Sequence, residues 1–185
     1  MTKRDVAPVV LAAAILAACS STAGAPPSPT PVPGPTSAHY MFHGQGSASE
    51  PVKVQDTVHG KPIYVLKASD VFYSTSSNKG RFLNDRIYFY NGNAVRLTLA
   101  APVASVDRVT YDFELDGGVK ARSSLGVTLS CDVMRYNGKT QLLTALGHVR
   151  AVDSQGDVVT GDKAVADLDL QQIHMTDNVE IGQGR

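Results

Sequence analysis

Apolar and polar residues alternate along most of the chain beyond residue 60. In the segment 127–134, VTLSCDVM, the odd positions are all apolar and the even positions hold Thr, Ser, Asp and Met. This period of two indicates a β-strand with one buried face. The Asn-Gly pair in the following RYNGKTQ, 135–141, predicts a tight hairpin to the next strand. No amphipathic helical stripe is present after residue 50, so the sequence predicts an all-β domain.

The alternating segments recur with a step of thirty residues. The triplets 119–121, 149–151 and 179–181 read VKA, VRA and VEI, and the columns six and twenty residues before them are also apolar. A looser copy lies upstream, where LKASDVFY at 66–73 is similar to LSCDVMRY at 129–136. Each unit therefore comprises about two strands and a turn, and the chain holds about four such units.

The even repeat length keeps the side-chain direction constant from one unit to the next. Nearly all larger apolar residues beyond position 63 carry odd numbers, whereas the even positions are rich in Thr, Ser, Asp, Lys and Arg. All units are therefore expected to face one common interior. This pattern predicts a folded-over antiparallel sheet, either a jelly roll or a solenoid-like sandwich, with open strand edges at both ends.

The N-terminal region has the composition of a secretory leader and a tether. Residues 1–18 combine Lys3 and Arg4 with an apolar run too short to span a bilayer, which is typical of a signal peptide. Leu16-Ala17-Ala18-Cys19 resembles a bacterial lipobox, so Cys19 is the predicted lipidation site; an ordinary signal peptide with a coincidental cysteine is the alternative. We assign residues 19–50, with six of the ten prolines before residue 39, to a flexible linker and residues 51–185 to the β domain.

Charge and motif content argue against several function classes. The formal net charge is zero, so we expect no large basic field for nucleic acid or for an anionic membrane surface. No nucleophile elbow, metal cluster or phosphate loop is recognisable, and we expect no enzyme activity, no metal and no cofactor. Cys131 is predicted to be a small buried hydrophobe, and the Asp167-Leu168-Asp169 sequence is expected to form a turn because it lacks the spacing of a calcium loop.

The segment 144–181 resembles the OstA-like repeat of lipopolysaccharide-transport proteins. The residues that carry the resemblance are Gly161-Asp162-Lys163-Ala164, Asp167 and Asn178-Val179-Glu180-Ile181. The longer order over residues 60–181 looks most like the LptC family. The resemblance implies a twisted antiparallel β-jelly roll with an apolar interior through which lipid A acyl chains of lipopolysaccharide pass, without catalysis in the domain.

The resemblance also implies sites and partners. The expected lipid-binding residues are the interior-facing ones: Leu97, Leu99, Phe113, Leu115, Val119, Leu129, Val133, Leu143, Val149, Ile173, Met175 and Val179. The implied partners are an LptA-type periplasmic bridge protein and LptF/LptG-type transporter subunits, joined through β-strand augmentation at the open edges. The alternative is a structural envelope lipoprotein that docks partners by strand addition around a dry core.

Two departures from the LptC pattern concern the membrane. LptC-type proteins usually carry an N-terminal transmembrane helix, whereas this chain is expected to use a lipid anchor at Cys19. Ser20 also differs from the Asp that retains enterobacterial lipoproteins at the inner membrane. We therefore expect a lipid-anchored protein on the periplasmic side of the envelope, with the inner membrane favoured by the family and the outer membrane as the alternative.

Overall fold

The computed structural model describes residues 40–182, and all of their regular secondary structure is β-strand. The expected all-β class is confirmed, and none of these residues forms a helix long and apolar enough to cross a membrane. The strands are β1 Met41–Gln45, β2 Val52–Val58, β3 Lys61–Ala68, β4 Asp70–Ser74, β5 Lys79–Asn91, β6 Ala94–Asp107, β7 Phe113–Ser123, β8 Thr128–Asn137, β9 Leu142–Val152, β10 Val158–Ala166, β11 Ile173–Thr176 and β12 Glu180–Gly182.

All strands pair antiparallel in a single sheet of order β1-β4-β5-β6-β7-β8-β9-β10-β11. Strand β5 carries both β4 and β3 along one side, and β2 pairs with β3. At the other end, β10 carries both β11 and β12. The sheet therefore has open edges at its N-terminal and C-terminal ends, as expected, and consecutive strands are neighbours along most of its width.

A row of irregular positions crosses the sheet and bends it. Pairing between neighbouring strands shifts register at this row from β6 to β10. The residues in the row follow one another at intervals of fifteen: Pro102, Gly117, Asp132, Gly147, Asp162 and Asp177. Gly117, Gly147 and Asp177 have positive φ angles of 91°, 74° and 62°, as β-bulges often require. We refer to this row as the bend.

The bend divides the sheet into two half-sheets that face each other. The first half-sheet contains residues 52–68, 85–101, 119–131, 149–161 and 180–182; the second contains residues 41–45, 70–83, 103–116, 133–146 and 163–176. Contacts between strands that are not neighbours in the sheet establish the folding-over, since Tyr64 of β3 packs edge-on against Phe113 of β7 with 4.9 Å between ring centroids. The thirty-residue unit is therefore a pair of strands, each bent at its centre.

The bend corrects the sequence analysis in β8. The odd-position rule predicts Val133 inside and Met134 outside. In the structure Met134 is fully buried and Val133 is only half-buried. The register of β8 against β9 shifts between Ser130 and Val133, and the bulge reverses the direction of the side chains that follow. The rule is correct for β8 only before the bend.

The domain also begins earlier than the sequence analysis proposes. Residues 41–45, assigned there to the linker 19–50, form strand β1 and pair with β4. The His43 ring stacks on Phe72 with 4.2 Å between centroids, which helps to hold this edge strand. The predicted signal peptide 1–18, Cys19 and the linker up to residue 39 lie outside the described residues.

Candidate functional site

The candidate site is the apolar interior between the two half-sheets. Eight of the residues expected there have at most 2% of their surface exposed: Leu97, Leu99, Phe113, Leu115, Val119, Leu129, Leu143 and Val149. Ile173 and Met175 are half-buried and pack against the same core. Val179 is 47% exposed, so its expected interior position is wrong. It lies in the short loop before β12, where the chain has already left the interior.

Over β3 to β6 of the first half-sheet, the inward side chains become larger with distance from the bend. The inward row next to the bend is small: Ala68, Asp85, Ala101, Val119, Cys131, Val149 and Gly161. The next inward row is larger over β3 to β6, with Leu66, Ile87 and Leu99. Two facing layers that converge at a bend leave little room near it, so small residues fit there. Larger side chains therefore fill the interior away from the bend over these strands.

Four aromatic rings occupy this region away from the bend. Tyr64 and Phe89 come from the first half-sheet, Phe113 and Tyr136 from the second. Phe89 lies 4.9 Å from Tyr136 and 6.0 Å from Phe113, measured between ring centroids. Burial raises the pKa of Tyr64 to about 12, so its hydroxyl stays neutral at physiological pH. All four members of the cluster are aromatic, and their contacts join the two half-sheets.

The loop between β10 and β11 closes the side of the interior opposite the bend. Leu168 and Leu170 of this loop are 3% and 2% exposed and belong to the core. The Asp167 carboxylate accepts hydrogen bonds from the backbone N–H groups of residues 171 and 172 at 2.8 and 3.2 Å, which confirms the expected turn. Arg96 of β6 lies 3.6 Å from the Asp169 carboxylate, and this ion pair connects the two half-sheets across the opening.

Asp85 is the polar exception on the interior face. It is 2% exposed, and neither carboxylate oxygen has a hydrogen-bond partner among residues 40–182. Burial raises the pKa of this carboxyl group to about 7. Sequence analysis did not single it out, although its odd number places it in the inward set. An acidic residue among apolar inward positions was the signal that could have identified it.

Neither Cys131 nor His148 forms a reactive centre in the described part of the chain. Cys131 is buried as expected, and burial raises the pKa of its thiol to about 11, which keeps it in the unreactive neutral form. His148 is exposed on the outside of the bend, where its Nδ1 lies 2.7 Å from the Asp132 carboxylate. Among residues 40–182, no group of three potential ligands is arranged to hold a metal ion.

The two ends of the sheet present unpaired strand edges beside exposed apolar side chains. At the N-terminal end, Met41 and Phe42 of β1 are 83% and 56% exposed. At the C-terminal end, Ile181 of β12 is 80% exposed. Near the N-terminal end a cavity of about 240 Å³ reaches Tyr64 from the surface and is also lined by Asp56 and Arg108. The interior therefore approaches solvent close to a strand edge.

Comparisons with known proteins identify one family and one fold. A family model described as "Lipopolysaccharide-assembly, LptC-related" matches residues 10–183. The crystal structure of LptH from Pseudomonas aeruginosa, described as the LptA-homologous periplasmic component of the lipopolysaccharide transport device, matches with a TM-score of 0.54 at 8% sequence identity. The match covers 66% of this chain and 95% of that one, and confirms the jelly-roll fold. No curated protein sequence matched.

Proposed function

Because the chain belongs to the LptC-related family of lipopolysaccharide-assembly proteins, we propose that lipid A acyl chains pass between its two half-sheets. The family makes the protein a periplasmic component of lipopolysaccharide transport. The proposal adds a route, in which the acyl chains leave the transporter, enter the folded sheet near one open edge and leave near the other.

The observation that carries this proposal is the continuity of the apolar interior. Inward-facing apolar residues occur on every strand from β3 to β10, and Ile173 and Met175 extend the surface onto β11. An acyl chain in contact with such a surface gains about 0.8 kcal/mol for each CH₂ group removed from water. Among the described residues, Asp85 is the sole charged residue that is fully buried. A surface of this kind binds hydrocarbon without requiring a fixed position along the path.

The open edges suit partners that continue the sheet. Strand addition uses main-chain hydrogen bonds and is available wherever an edge strand is unpaired. We propose that the two edges engage the LptF/LptG-type transporter subunits and an LptA-type bridge protein. Both edges carry exposed apolar side chains, as Phe42 and Ile181 illustrate, and a partner strand would cover them.

A second candidate is a docking protein that adds strands to its partners without carrying lipid. The observation in its favour is the density of the interior. The aromatic rings of Phe89, Phe113 and Tyr136 contact one another, and eight of the expected lipid-binding residues have at most 2% of their surface exposed. A dry interior would satisfy every packing requirement of such a protein.

Site-specific photo-crosslinking separates the two functions. A crosslinking residue at Leu129 or Leu143 faces the interior, whereas one at Thr144 or Lys139 lies outside it. Lipid transport predicts lipopolysaccharide adducts at the first pair in cells with an active transporter and none at the second pair. Equal lipopolysaccharide adducts at both pairs of positions would favour docking alone. The absence of lipopolysaccharide adducts at both pairs, while a crosslinking residue at Ile181 captures a partner protein, would also favour docking alone.

We further propose that Cys19 anchors the protein in the membrane. The motif Leu16-Ala17-Ala18-Cys19 and the proline-rich segment behind it support this proposal. Mass spectrometry of the mature N-terminus is expected to find an acylated Cys19, and Cys19→Ala should leave the precursor uncleaved or release the domain. An intact, unmodified Met1 in the mature protein would contradict the anchor without affecting the lipid route.

A further inference from the structure

The outer face of the first half-sheet carries a row of cations. In one register row, Lys53 lies opposite Lys67, and Lys67 lies opposite Arg86. Arg86 lies opposite Ala100 of β6, and Ala100 lies opposite Lys120 of β7. The same row continues through Ser130 to Arg150 on β9, and Arg122 lies two residues along β7 from Lys120 on the same face. All six cations are exposed. With strands about 4.8 Å apart, the row is about 29 Å long. We refer to these six residues as the basic row.

The basic row has no acidic counterpart. No member forms an ion pair among the described residues. The positions in its two register rows hold no Asp or Glu from β2 to β10, and the first carboxylate is Glu180 at the edge strand β12. The outer face of the second half-sheet is different, because Arg135 there pairs with Glu114 at 2.9 Å. Six cations that form no ion pair among the described residues therefore lie together on one face, in rows that hold no carboxylate from β2 to β10.

Like charges directly opposite each other destabilise a sheet. The Lys53–Lys67 and Lys67–Arg86 pairs are of this kind, so folding alone does not account for them. An anionic ligand that neutralises the row would remove this repulsion. The arrangement therefore indicates a binding surface.

Two grooves beside Arg86 show which anion the surface fits. The first, of about 570 Å³, is lined by Lys67 and Arg86 together with hydroxyl and amide side chains: Ser47, Ser49, Ser69 and Asn84. The second, of about 350 Å³, combines Arg86 with Lys120, Arg122 and three hydroxyls: Thr98, Thr128 and Ser130. Neither groove is lined by a carboxylate. Guanidinium and ammonium groups with hydroxyl donors bind phosphate oxygens.

We propose that the basic row docks the outer face of the first half-sheet on a bilayer surface that contains anionic phospholipid. Several phosphodiester headgroups side by side match a row of this length better than a single ligand does, and each cation near such a surface adds about 1 kcal/mol of attraction. This inference rests on the proposed envelope location, and it concerns the outside of the sheet, not the lipid path inside it. Docking on this face would leave the second half-sheet and the strand edges available to partners.

The test uses the full chain with a photo-crosslinking residue at Thr98, in the second groove, or at the matched Thr144 on the outer face of the second half-sheet. The protein is incubated with vesicles of phosphatidylcholine alone or with phosphatidylglycerol added. Phospholipid adducts identified by mass spectrometry are expected at Thr98 on the anionic vesicles, and they should decrease as salt is added. Equal adducts at Thr98 and Thr144, or equal adducts on neutral vesicles, would overturn the proposal.

Charge variants identify the residues responsible. A triple variant with Lys67→Gln, Arg86→Gln and Lys120→Gln should bind vesicles that contain phosphatidylglycerol with an association constant about 100-fold lower than that of wild type, since each cation contributes about 1 kcal/mol. Removing three cations from the second half-sheet, through Lys79→Gln, Arg81→Gln and Lys163→Gln, should leave the adducts unchanged; equal loss in both triple variants would overturn the assignment.

Three further readouts keep the result interpretable. The basic-row variant should unfold at the same temperature as wild type or higher, since like-charge repulsion is removed. Lys67→Arg with Lys120→Arg should retain the adducts. In cells, adducts from Thr98 to an acidic protein instead of phospholipid would refute bilayer docking. Lipopolysaccharide adducts at Leu129 report the interior route independently, so either proposal can fail alone.

Discussion

The unpartnered carboxyl group of Asp85 predicts an unusual dependence of stability on pH. The side chain lies on the interior face of β5, opposite Ala101 and beside Ala68, and neither neighbour offers a hydrogen bond. Burial raises its pKa from an ordinary value near 4 to about 7. The folded protein therefore holds a proton on Asp85 over a pH range in which the unfolded chain has released it.

The sign and size of the effect follow from this difference. The pKa of this carboxyl group is higher in the folded protein than in the unfolded chain. Such a group makes its full contribution to stability below its unfolded pKa, and that contribution is lost as pH rises through the folded pKa. Each unit of pKa difference corresponds to about 1.4 kcal/mol, so Asp85 should lower the free energy of unfolding by roughly 4 kcal/mol in total, mostly between pH 4 and pH 7. Roughly 2–3 kcal/mol of this change falls between pH 5 and pH 8.

Urea unfolding of wild type and Asp85→Asn at pH 5 and pH 8 measures this contribution. The variant keeps the shape of the protonated acid but cannot ionise, so its free energy of unfolding should exceed that of wild type by about 1–2 kcal/mol at pH 5 and by roughly 4 kcal/mol at pH 8, a change of roughly 2–3 kcal/mol between the two. Asp116→Asn, at an exposed position of β7, is the matched control. If the free energies of unfolding of wild type and variant differ by the same amount at both pH values, Asp85 is not a buried, protonated group.

Three other predictions test the core, the bend and its outer surface. Leu143→Ala should destabilise the domain by about 2–5 kcal/mol in urea unfolding, because Leu143 is fully buried between the half-sheets; a loss below about 1 kcal/mol would contradict that packing. Gly147→Ala should cost more than Gly60→Ala, since both glycines have positive φ but only at Gly147 would a Cβ overlap the Asp132 carboxylate; equal losses would contradict the close approach. The Asp132 hydrogen bond raises the pKa of His148, so Asp132→Asn should lower that pKa in an NMR titration, and an unchanged value would rule out the pair.

The strand content and the inward face of the first half-sheet could be predicted because they depend on local alternation. Leu97, Leu99 and Leu129 are inward in the sequence pattern and buried in the structure. Alternation of period two is preserved within each straight segment of a strand, and the even repeat length carries it from unit to unit. The resemblance to a family then supplied the jelly-roll closure, which alternation alone left open.

The bend explains most of what the sequence analysis missed. A strand such as β8 passes through both half-sheets, and the bulge at its centre exchanges the inward and outward positions beyond it. Val133 and Met134 therefore have the opposite burial from the one expected. The fifteen-residue spacing of Gly117, Asp132 and Gly147 was present in the sequence, but only the three-dimensional pairing shows that these positions form one row. The domain boundary was missed because β1 gains its stability from pairing with a strand that follows much later.

The closed interior is compatible with a lipid path when the interactions that hold the half-sheets together are compared with the free energy gained by burying an acyl chain. The half-sheets are joined across the opening by the Arg96–Asp169 pair, which is partly exposed and so is worth about 0–1 kcal/mol. Contacts in the aromatic cluster add about 0.5–1.5 kcal/mol per pair beyond their buried area. An acyl chain that slides between the half-sheets replaces apolar burial with apolar burial, and every ten of its CH₂ groups removed from water contribute about 8 kcal/mol. The strand pairing is irregular at the bend, so an opening of the half-sheets about this row would leave the ladders on either side intact. A lipid route would therefore show the same dense packing as a docking-only protein whenever no lipid is bound. The crosslinked adducts at Leu129 and Leu143 decide between the two functions, and the packing density does not.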